Sequence, residues 1–276
     1  QKKILGKIDS ISNEHEDFLN ELDVQIDLFR KLRQAVLQEA IEGTLTAGWR
    51  KQNPELISGE NHASKLLEKI KAEKECLTKL TKSTKKTKAL PPISEEEKPF
   101  DLPEGWVWCR LPQILDFGDS LRRGPFGSSI TKLMFVPKSE HSTKVYEQKN
   151  AIYKDYTLGS YSMNLAEHPN LNGFLAGPGD IIISCAGTIG ETYLLPQDAP
   201  RGIINQALLK IRLNQHVVDN QFFMIIFKAQ TKLRINEDSK GTAMKNISSV
   251  DYLKNELLFP LPPLAEQQAI VERADK

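Results

Sequence analysis

The sequence predicts an α+β (or α/β) protein in which a globular mixed-sheet domain is flanked by long coiled-coil helices. An apolar stripe at helical spacing runs from Lys3 to about Ile41 without a proline. Short runs of β-branched residues mixed with a few helical patterns fill the second half of the chain. The predicted segments are 1–50, a long helix and its exit; 51–101, a helix and a charged linker; 102–260, the globular domain; and 261–276, the start of another long helix.

The stripe of the first helix consists of two interleaved seven-residue series, which lie on one face of a helix. All members except His15 and Gln25 are apolar. The positions expected to pack are Ile4, Ile8, Ile11, Phe18, Leu22, Phe29, Leu32 and Val36. Such a helix is about 55–60 Å long at about 1.5 Å per residue. We favour a rod that packs against a second helix, with a surface helix on its own domain as the alternative.

The remaining elements follow from local patterns. The rod ends at Gly43, a plausible C-cap, and helical spacing returns at Ala63–Leu80 and at Val217–Arg234. A final helix opens at Pro262-Pro263-Leu264, with proline in its first turn. Polar loops are expected over 140–175, with a tight turn at Gly177–Asp180. A turn that leads into a strand is expected at Leu102–Leu111. Further strands are expected at Ile181–Ser184, Glu191–Leu195, Gly202–Asn205, Ala207–Leu213 and Leu253–Leu261.

The composition narrows the cellular context. The formal net charge is +1, so the whole molecule is not an obvious polyanion binder. The three cysteines are far apart, without metal-ligand or disulfide spacing, which favours a reducing cytoplasm. No apolar run has the length of a membrane span, and no signal peptide is seen. The chain begins without Met inside one helical pattern and stops inside another, so we expect a piece of a longer protein.

The motifs of common enzymes are absent. No Walker-type phosphate loop, dinucleotide-binding glycine motif or His-Glu-x-x-His is present, and the five histidines do not cluster. Asp180 and Glu191 are conceivable as paired carboxylates, but turn formation after Gly179 explains Asp180 more simply. We therefore predict no catalytic and no metal-binding residue.

Three glycine-containing loops, 122–129, 186–190 and 240–246, share one chemistry. Glycine lets the backbone approach another surface, and hydroxyl, amide and basic side chains bind phosphates or base edges. Ordinary hairpin turns are the alternative for each loop. Phe126 is interpreted as a core anchor that holds its loop, with a base-stacking group as the alternative. The candidate DNA-binding residues are Arg122, Arg123, Gly127, Ser128, Ser129, Thr188, Asn205, Gln206, Lys240, Thr242, Lys245 and Asn246. Composition alone leaves DNA binding as one option among several.

Several motifs in this order resemble the DNA-specificity subunit of type I restriction-modification systems. Leu261-Pro262-Pro263-Leu264-Ala265-Glu266-Gln267-Gln268-Ala269-Ile270-Val271 is similar to the opening of that family's spacer helix, and residues 31–46 with Trp49-Arg50 to its end. Leu102-Pro103-Glu104-Gly105-Trp106 is similar to the beginning of a target recognition domain. Pro125-Phe126-Gly127-Ser128-Ser129, Gly179–Gly190 and Gly241-Thr242 resemble the recurrent motifs inside that domain.

The resemblance implies a non-catalytic subunit that reads one part of a split target in double-stranded DNA. The order of motifs implies the C-terminal half, namely the central spacer helix, the second recognition domain and the start of the distal spacer helix; a half-subunit that dimerises is the alternative. Implied partners are methyltransferase (modification) subunits, a restriction (motor-nuclease) subunit, and the other half of the specificity subunit or a second copy, with no membrane. S-adenosylmethionine, ATP and Mg²⁺ would be bound by partner subunits and none by this chain.

Two other function classes remain open at this point. One is a coiled-coil protein–protein adaptor whose globular domain binds a peptide, and which would show no salt-dependent affinity for DNA. The other is a fragment of a fused nuclease or methyltransferase.

Overall fold

The computed structural model describes residues 2–81, 90–126, 129–237 and 249–274. Its long first helix confirms the predicted rod helix, and its mixture of helices and sheets confirms the predicted fold class. The helices are α1 Lys2–Glu42, α2 Ala47–Gln52, α3 Ala63–Leu80, α4 Leu111–Ile114, α5 Gln148–Tyr153, α6 Asn220–Glu237, α7 Val250–Asn255 and α8 Leu264–Ala274. The strands are β1 Val107–Arg110, β2 Leu121–Arg123, β3 Phe135–Val136, β4 Thr143–Tyr146, β5 Ser162–Met163, β6 Leu175–Ala176, β7 Ile181–Ser184, β8 Thr192–Leu194, β9 Gly202–Ile204, β10 Leu208–Ile211 and β11 Leu258–Leu261.

The side chains of α1 that the structure describes are packed only at the C-terminal end of the helix. Ala40 and Ile41 are buried in the main core, whereas every residue from 12 to 35 is exposed. The helix ends where expected, since Gly43 follows it with φ +75°, the left-handed conformation of a C-cap. The side chains of Ile4, Ile8 and Ile11 lie outside the described part of the chain. The exposed apolar side chains are Phe18, Leu19, Leu22, Val24, Ile26, Leu28, Phe29 and Leu32. Over residues 12–35, α1 is therefore not a surface helix covered by its own domain.

The described residues of the globular part form three sheets. The first pairs β1 with β11 in antiparallel fashion, so that Val107 lies opposite Leu261. The second has the order β2-β10-β7-β8, and all of its neighbours are antiparallel. The third has the order β3-β5-β4-β9-β6, with β4 and β9 parallel. The hairpin expected between Ile181–Ser184 and Glu191–Leu195 is confirmed as the β7·β8 pair.

Strand β7 lies between two cores. Ile181 and Ile183 belong to the largest core cluster, and Ile182 belongs to a second one, because successive side chains of a strand point to opposite faces. All four residues of β7 are buried, as its continuous apolar run predicts. On the larger side, helix α6 contributes Phe222 and Phe223, which pack against Phe259 at ring-centroid distances of 5.8 and 5.4 Å.

Two predictions of local structure are wrong. Residues 140–175, expected as loops, contain β4, α5, β5 and β6. These elements are only two to six residues long and carry no long apolar run, so periodicity could not show them. The strand expected at Leu253–Leu261 begins only at Leu258, because Ser249 accepts a hydrogen bond from the backbone N–H of Tyr252 and starts α7.

The helices within the described ranges include none that is long and apolar enough to cross a membrane. The same residues contain no group of three or more His, Cys, Asp or Glu side chains placed to hold a metal ion.

Candidate nucleic-acid interface

The topology of the second sheet brings three loops to one edge. Strand β10 runs antiparallel to both of its neighbours, with Leu209 opposite Arg123 and Leu208 opposite Ser184. The ends of β2 and β7 and the beginning of β10 therefore lie side by side. We call the residues that follow or precede these strand ends, 123–126, 185–190 and 205–207, the loop edge.

Two loops of this edge touch backbone to backbone. A Cβ atom at position 124 would lie only 1.8 Å from the carbonyl oxygen of Asn205, so glycine alone fits there. The Gly124 N–H donates to the carbonyl of Leu208 at 2.9 Å, and the Cys185 N–H donates to that of Ala207 at 2.8 Å. The Asn205 carboxamide oxygen accepts from the Ala207 N–H at 3.0 Å. The loops are thus fixed relative to one another by main-chain contacts.

Arg123 ties the loop edge together. Its Nε donates to the carbonyl of Gln206 at 3.1 Å, and a terminal nitrogen donates to that of Cys185 at 3.5 Å. The guanidinium also lies 5.5 Å from the ring centroid of Phe126. A planar five-donor group suits such a bridge better than an ammonium. Arg123 therefore holds two loops in place.

Arg122 lies elsewhere. As the neighbour of Arg123 on β2 it points to the opposite face of the sheet. It lies 3.5 Å from the carboxylate of Asp119 and 4.8 Å from the ring centroid of Phe174. The structure therefore separates the two arginines that the sequence analysis had placed in one candidate site.

The turn between β7 and β8 presents Thr188 to solvent. The Ser184 hydroxyl donates to the Thr188 carbonyl and accepts from the Glu191 N–H at 3.0 Å, which closes the turn. From the other side, the Gln148 carboxamide donates to the carbonyl of Ala186. With its main chain held at both ends, this turn exposes the Thr188 side chain.

Helix α6 supports the same turn. Gly190, with φ +87°, lies against Thr231, where a Cβ atom would approach Cγ2 to 2.5 Å. Next to it, Lys228 forms an ion pair with Glu191 at 3.1 Å. Glu191 is therefore paired with lysine, and Asp180 accepts from the Gly177 N–H and from Arg212 at the turn before β7. The two carboxylates do not form an acid–base pair, as expected.

The exposed side chains of the loop edge are polar or aromatic, whereas Cys185 beneath them is buried. Gln206 and Thr188 are exposed, and 67% of Phe126 is accessible, so the expected role of Phe126 as a core anchor is wrong. Burial raises the pKa of the Cys185 thiol to about 11, only partly offset by Arg123, so the thiol is not a reactive thiolate at neutral pH. The edge offers hydrogen-bonding and aromatic groups.

The other predicted site residues stand as follows. Asn205 is half-buried and Ser129 lies beyond the gap after Phe126, with its N–H 3.4 Å from the Phe126 carbonyl. Gly127, Ser128, Lys240, Thr242, Lys245 and Asn246 lie outside the described residues. The structure therefore brings together Arg123, Thr188, Asn205 and Gln206. Gln148 was missed, because nothing local in the sequence shows that it lies against residues 186–187.

Comparisons with known proteins agree with the resemblance predicted from the motifs. Residues 142–276 match the family described as Type I restriction modification DNA specificity domain. The chain is 31% identical over 96% of its length to the type I restriction enzyme EcoAI specificity subunit of Escherichia coli, covering 42% of that protein. It is 27% identical over 87% of its length to the EcoEI specificity subunit of the same organism, covering 39%. The chain thus spans about two fifths of these relatives.

Solved structures give a weaker match. The HsdS subunit from Thermoanaerobacter tengcongensis aligns with a TM-score of 0.45 and 20% identity, covering 77% of this chain and 48% of that one.

Proposed function

We propose that this chain acts as a specificity subunit of a type I restriction-modification system and reads one part of a bipartite target in double-stranded DNA. The match of residues 142–276 to the DNA specificity domain and the 31% identity to the EcoAI specificity subunit support this proposal. In this proposal residues 102–260 form the recognition domain, and α1 is the central spacer helix that fixes the distance to the other part. Residues 261–276 begin the distal spacer helix. The chain itself performs no chemistry.

The observation that carries this proposal is the convergence of three loops at one edge of a rigid sheet. Gln206 and Thr188 are exposed there, while the main chain beneath them is fixed by Gly124 and Arg123. A glutamine carboxamide can bind an adenine edge through two hydrogen bonds, and a threonine can contact a base, a thymine methyl group or a phosphate. Specific reading requires such side chains on a support that does not move, which this edge provides.

Helix α1 suits the task of setting distance. Its apolar face is exposed from Phe18 to Leu32, and such a stripe needs a second helix to cover it. Rigid spacing matters because one added base pair moves the second half-site by about 3.4 Å and rotates it by about 36°. We assign the covering helix to the other half of the specificity subunit or to a second copy, and docking of modification subunits to the same rod.

Chemistry then belongs to partner subunits. Modification subunits would supply methyl transfer from S-adenosylmethionine, and a restriction subunit would supply ATP- and Mg²⁺-dependent cleavage. We place the assembly in the cytoplasm, where the three free cysteines, Cys76, Cys109 and Cys185, stay reduced.

A matched pair of glutamine variants tests the proposal. Gln206 lies on the loop edge, and Gln197, which is also exposed, follows β8 at the opposite end of the same sheet. The duplex DNA used in this test carries the sites that mapping of methylated bases in the host genome identifies. Its binding by the parent, Gln206→Ala, Thr188→Ala and Gln197→Ala is measured at several salt concentrations. We expect the affinity of the parent for this DNA to fall as the salt concentration rises. Gln206→Ala should lose about tenfold in discrimination between bases, and only at one base position of the site.

Gln197→Ala should bind and discriminate like the parent. If Gln206→Ala and Thr188→Ala also do so, the loop edge is not the reading surface. If the parent shows no salt-dependent affinity for DNA, the adaptor hypothesis replaces the proposal.

A further inference from the structure

A single buried carboxylate joins three distant parts of the chain. Glu266, in the first turn of α8, has no exposed side-chain surface. It accepts a hydrogen bond from the Thr46 hydroxyl at 2.6 Å and one from the Trp106 indole at 2.8 Å, and it forms an ion pair with Arg50. Thr46 and Arg50 follow the rod helix, and Trp106 precedes β1.

Its neighbour connects the same helix to the body of the domain. Gln267 is also fully buried. Its carboxamide nitrogen donates to the carbonyl oxygens of Val217 and Pro262 at 2.9 and 3.0 Å, and its oxygen accepts from the Asp219 N–H at 2.7 Å. Asp219 in turn accepts the first free N–H groups of α6, from Gln221 and Phe222. Two consecutive residues thus bind the exit of α1 on one side and the start of α6 on the other.

From this geometry we infer that Glu266 is a positioning residue that fixes the direction of α1 relative to the recognition domain. Among the side chains of α1 that the structure describes, burial is confined to the last turns, so the contacts near residue 42 decide where its far end lies. An angular change of about 10° moves a point about 55 Å away by about 10 Å, roughly three base-pair steps. The inference rests on the proposed function, since it makes Glu266 a determinant of the gap between the two parts of the target.

We call Glu266 and its partners Thr46, Arg50 and Trp106 the joint. The chemistry of the joint favours a positioning role over a role in stability alone. The Glu266 carboxylate binds three partners from two segments of the chain, and hydrogen bonds weaken steeply away from linearity. All three bonds can therefore form together only when the two segments and α8 have one orientation relative to each other. The ion pair and the Trp106 hydrogen bond are buried from water, where they are strong and where a lost partner is not replaced. An apolar contact of equal area would permit rotation of one element over the other.

The direction of α1 can be measured without DNA. Cys76 on α3 is exposed and Cys109 and Cys185 are buried, so Lys31→Cys on the exposed part of α1 gives a spin-label pair with the native Cys76. We measure the distance distribution for this chain with Glu266, with Glu266→Gln, with Glu266→Ala and with the exposed control Glu272→Gln. We expect a narrow distribution in the parent and the control, a clearly broader one in Glu266→Ala, and an intermediate one in Glu266→Gln.

A second measurement reads the gap itself. The full specificity subunit is expressed with its modification subunits, and methylated sites are mapped across the host genome. The parent and Glu272→Gln should mark sites of one gap length. Glu266→Ala should mark the same bases but also gaps one base pair shorter or longer, at least tenfold more often than the parent.

The outcomes separate the two proposals. The role of Glu266 is overturned if a folded Glu266→Ala variant methylates sequence-specific sites of one gap length. It is also overturned if the distance distribution of that variant is the same as in the parent. Absence of sequence-specific marks in the parent overturns the proposed function, while the distance measurement still decides the role of the joint. If Glu266→Ala does not fold by circular dichroism, Trp106→Phe and Thr46→Val, which each remove one hydrogen bond, must broaden the distribution, and their failure to do so overturns the inference.

Discussion

Gly124 offers the sharpest test of how the loop edge is built. Substitution by alanine places a Cβ atom 1.8 Å from the carbonyl oxygen of Asn205 and 2.4 Å from its carbonyl carbon. Ordinary contact begins at about 3.4 Å, so the end of β2 and the loop before β10 must separate by about 1.6 Å. Because both partners are backbone, no side-chain rotation relieves the clash.

The expected cost follows from two contributions. Forcing an extra methyl group into a packed site costs about 1–3 kcal/mol. Separating the strands also weakens the hydrogen bond from the Gly124 N–H to the Leu208 carbonyl, a further loss of about 1 kcal/mol. We therefore expect Gly124→Ala to lower the free energy of unfolding by about 2–4 kcal/mol. The displacement also exceeds the tolerance of about 0.5 Å within which a recognition group must be held.

Urea unfolding and DNA binding measure the two effects. Gly48 in α2 is the matched control, since a Cβ atom there meets nothing within 4 Å, and alanine in a helix should be neutral or stabilise by about 1 kcal/mol. Discrimination between target and non-target DNA should fall at least tenfold in Gly124→Ala and stay unchanged in Gly48→Ala. A Gly124→Ala protein as stable and as selective as the parent would refute the close contact and the rigidity derived from it.

Three further predictions concern the rest of the chain. Arg123→Lys keeps the charge but loses the planar group that binds two carbonyl groups, so it should lower the free energy of unfolding by about 1–2 kcal/mol. Arg123→Ala also removes the charge; if the guanidinium contacts a DNA phosphate, this variant should reduce the slope of the logarithm of the binding constant against the logarithm of the salt concentration by about one. Burial lowers the pKa of Lys74 to about 8, so between that pH and about 10.5 the unfolded chain holds a proton that the folded chain has lost. The free energy of unfolding should therefore rise with pH across this window. Urea unfolding at several pH values should show a smaller rise for Lys74→Met than for the parent. Leu22→Asp changes a side chain that is 41% exposed, so the free energy of unfolding of the chain should change by less than about 0.5 kcal/mol. The proposed function predicts weaker co-purification of this variant with the other half of the subunit or with modification subunits, and equal recovery would contradict the proposed rod.

Periodicity predicted the elements that are long or continuously apolar. The rod, α3, α6 and the β7·β8 hairpin follow from patterns over many residues, and the turn chemistry of Gly43 and Gly177–Asp180 is local. In the third sheet only β9 was predicted, within Gly202–Asn205. The other strands were missed because short strands, such as the two residues Ser162–Met163, form only by pairing with neighbours far away in sequence.

The candidate site was predicted by residue type and not by position. Gly124 to Phe126 and Ala186 to Gly190 are in the predicted loops, but sequence alone could not show that Arg122 and Arg123 point to opposite faces, because that required the boundaries of β2. The role of Glu266 was hidden for a related reason. A glutamate in the first turn of a helix has an ordinary explanation in the helix dipole, and its three partners lie 160 to 220 residues away.

The pairing of β1 with β11 has a consequence for biosynthesis. Cys109 and Phe259 lie opposite each other although 150 residues separate them in sequence, so the domain cannot be completed until its last strand has left the ribosome. At about 5–20 residues per second, synthesis of the intervening residues takes about 8–30 s after the first strand is made. Helix α1 precedes both strands, and its uncovered apolar face is available throughout that interval, so pairing of α1 with a second helix can precede folding of the domain it carries.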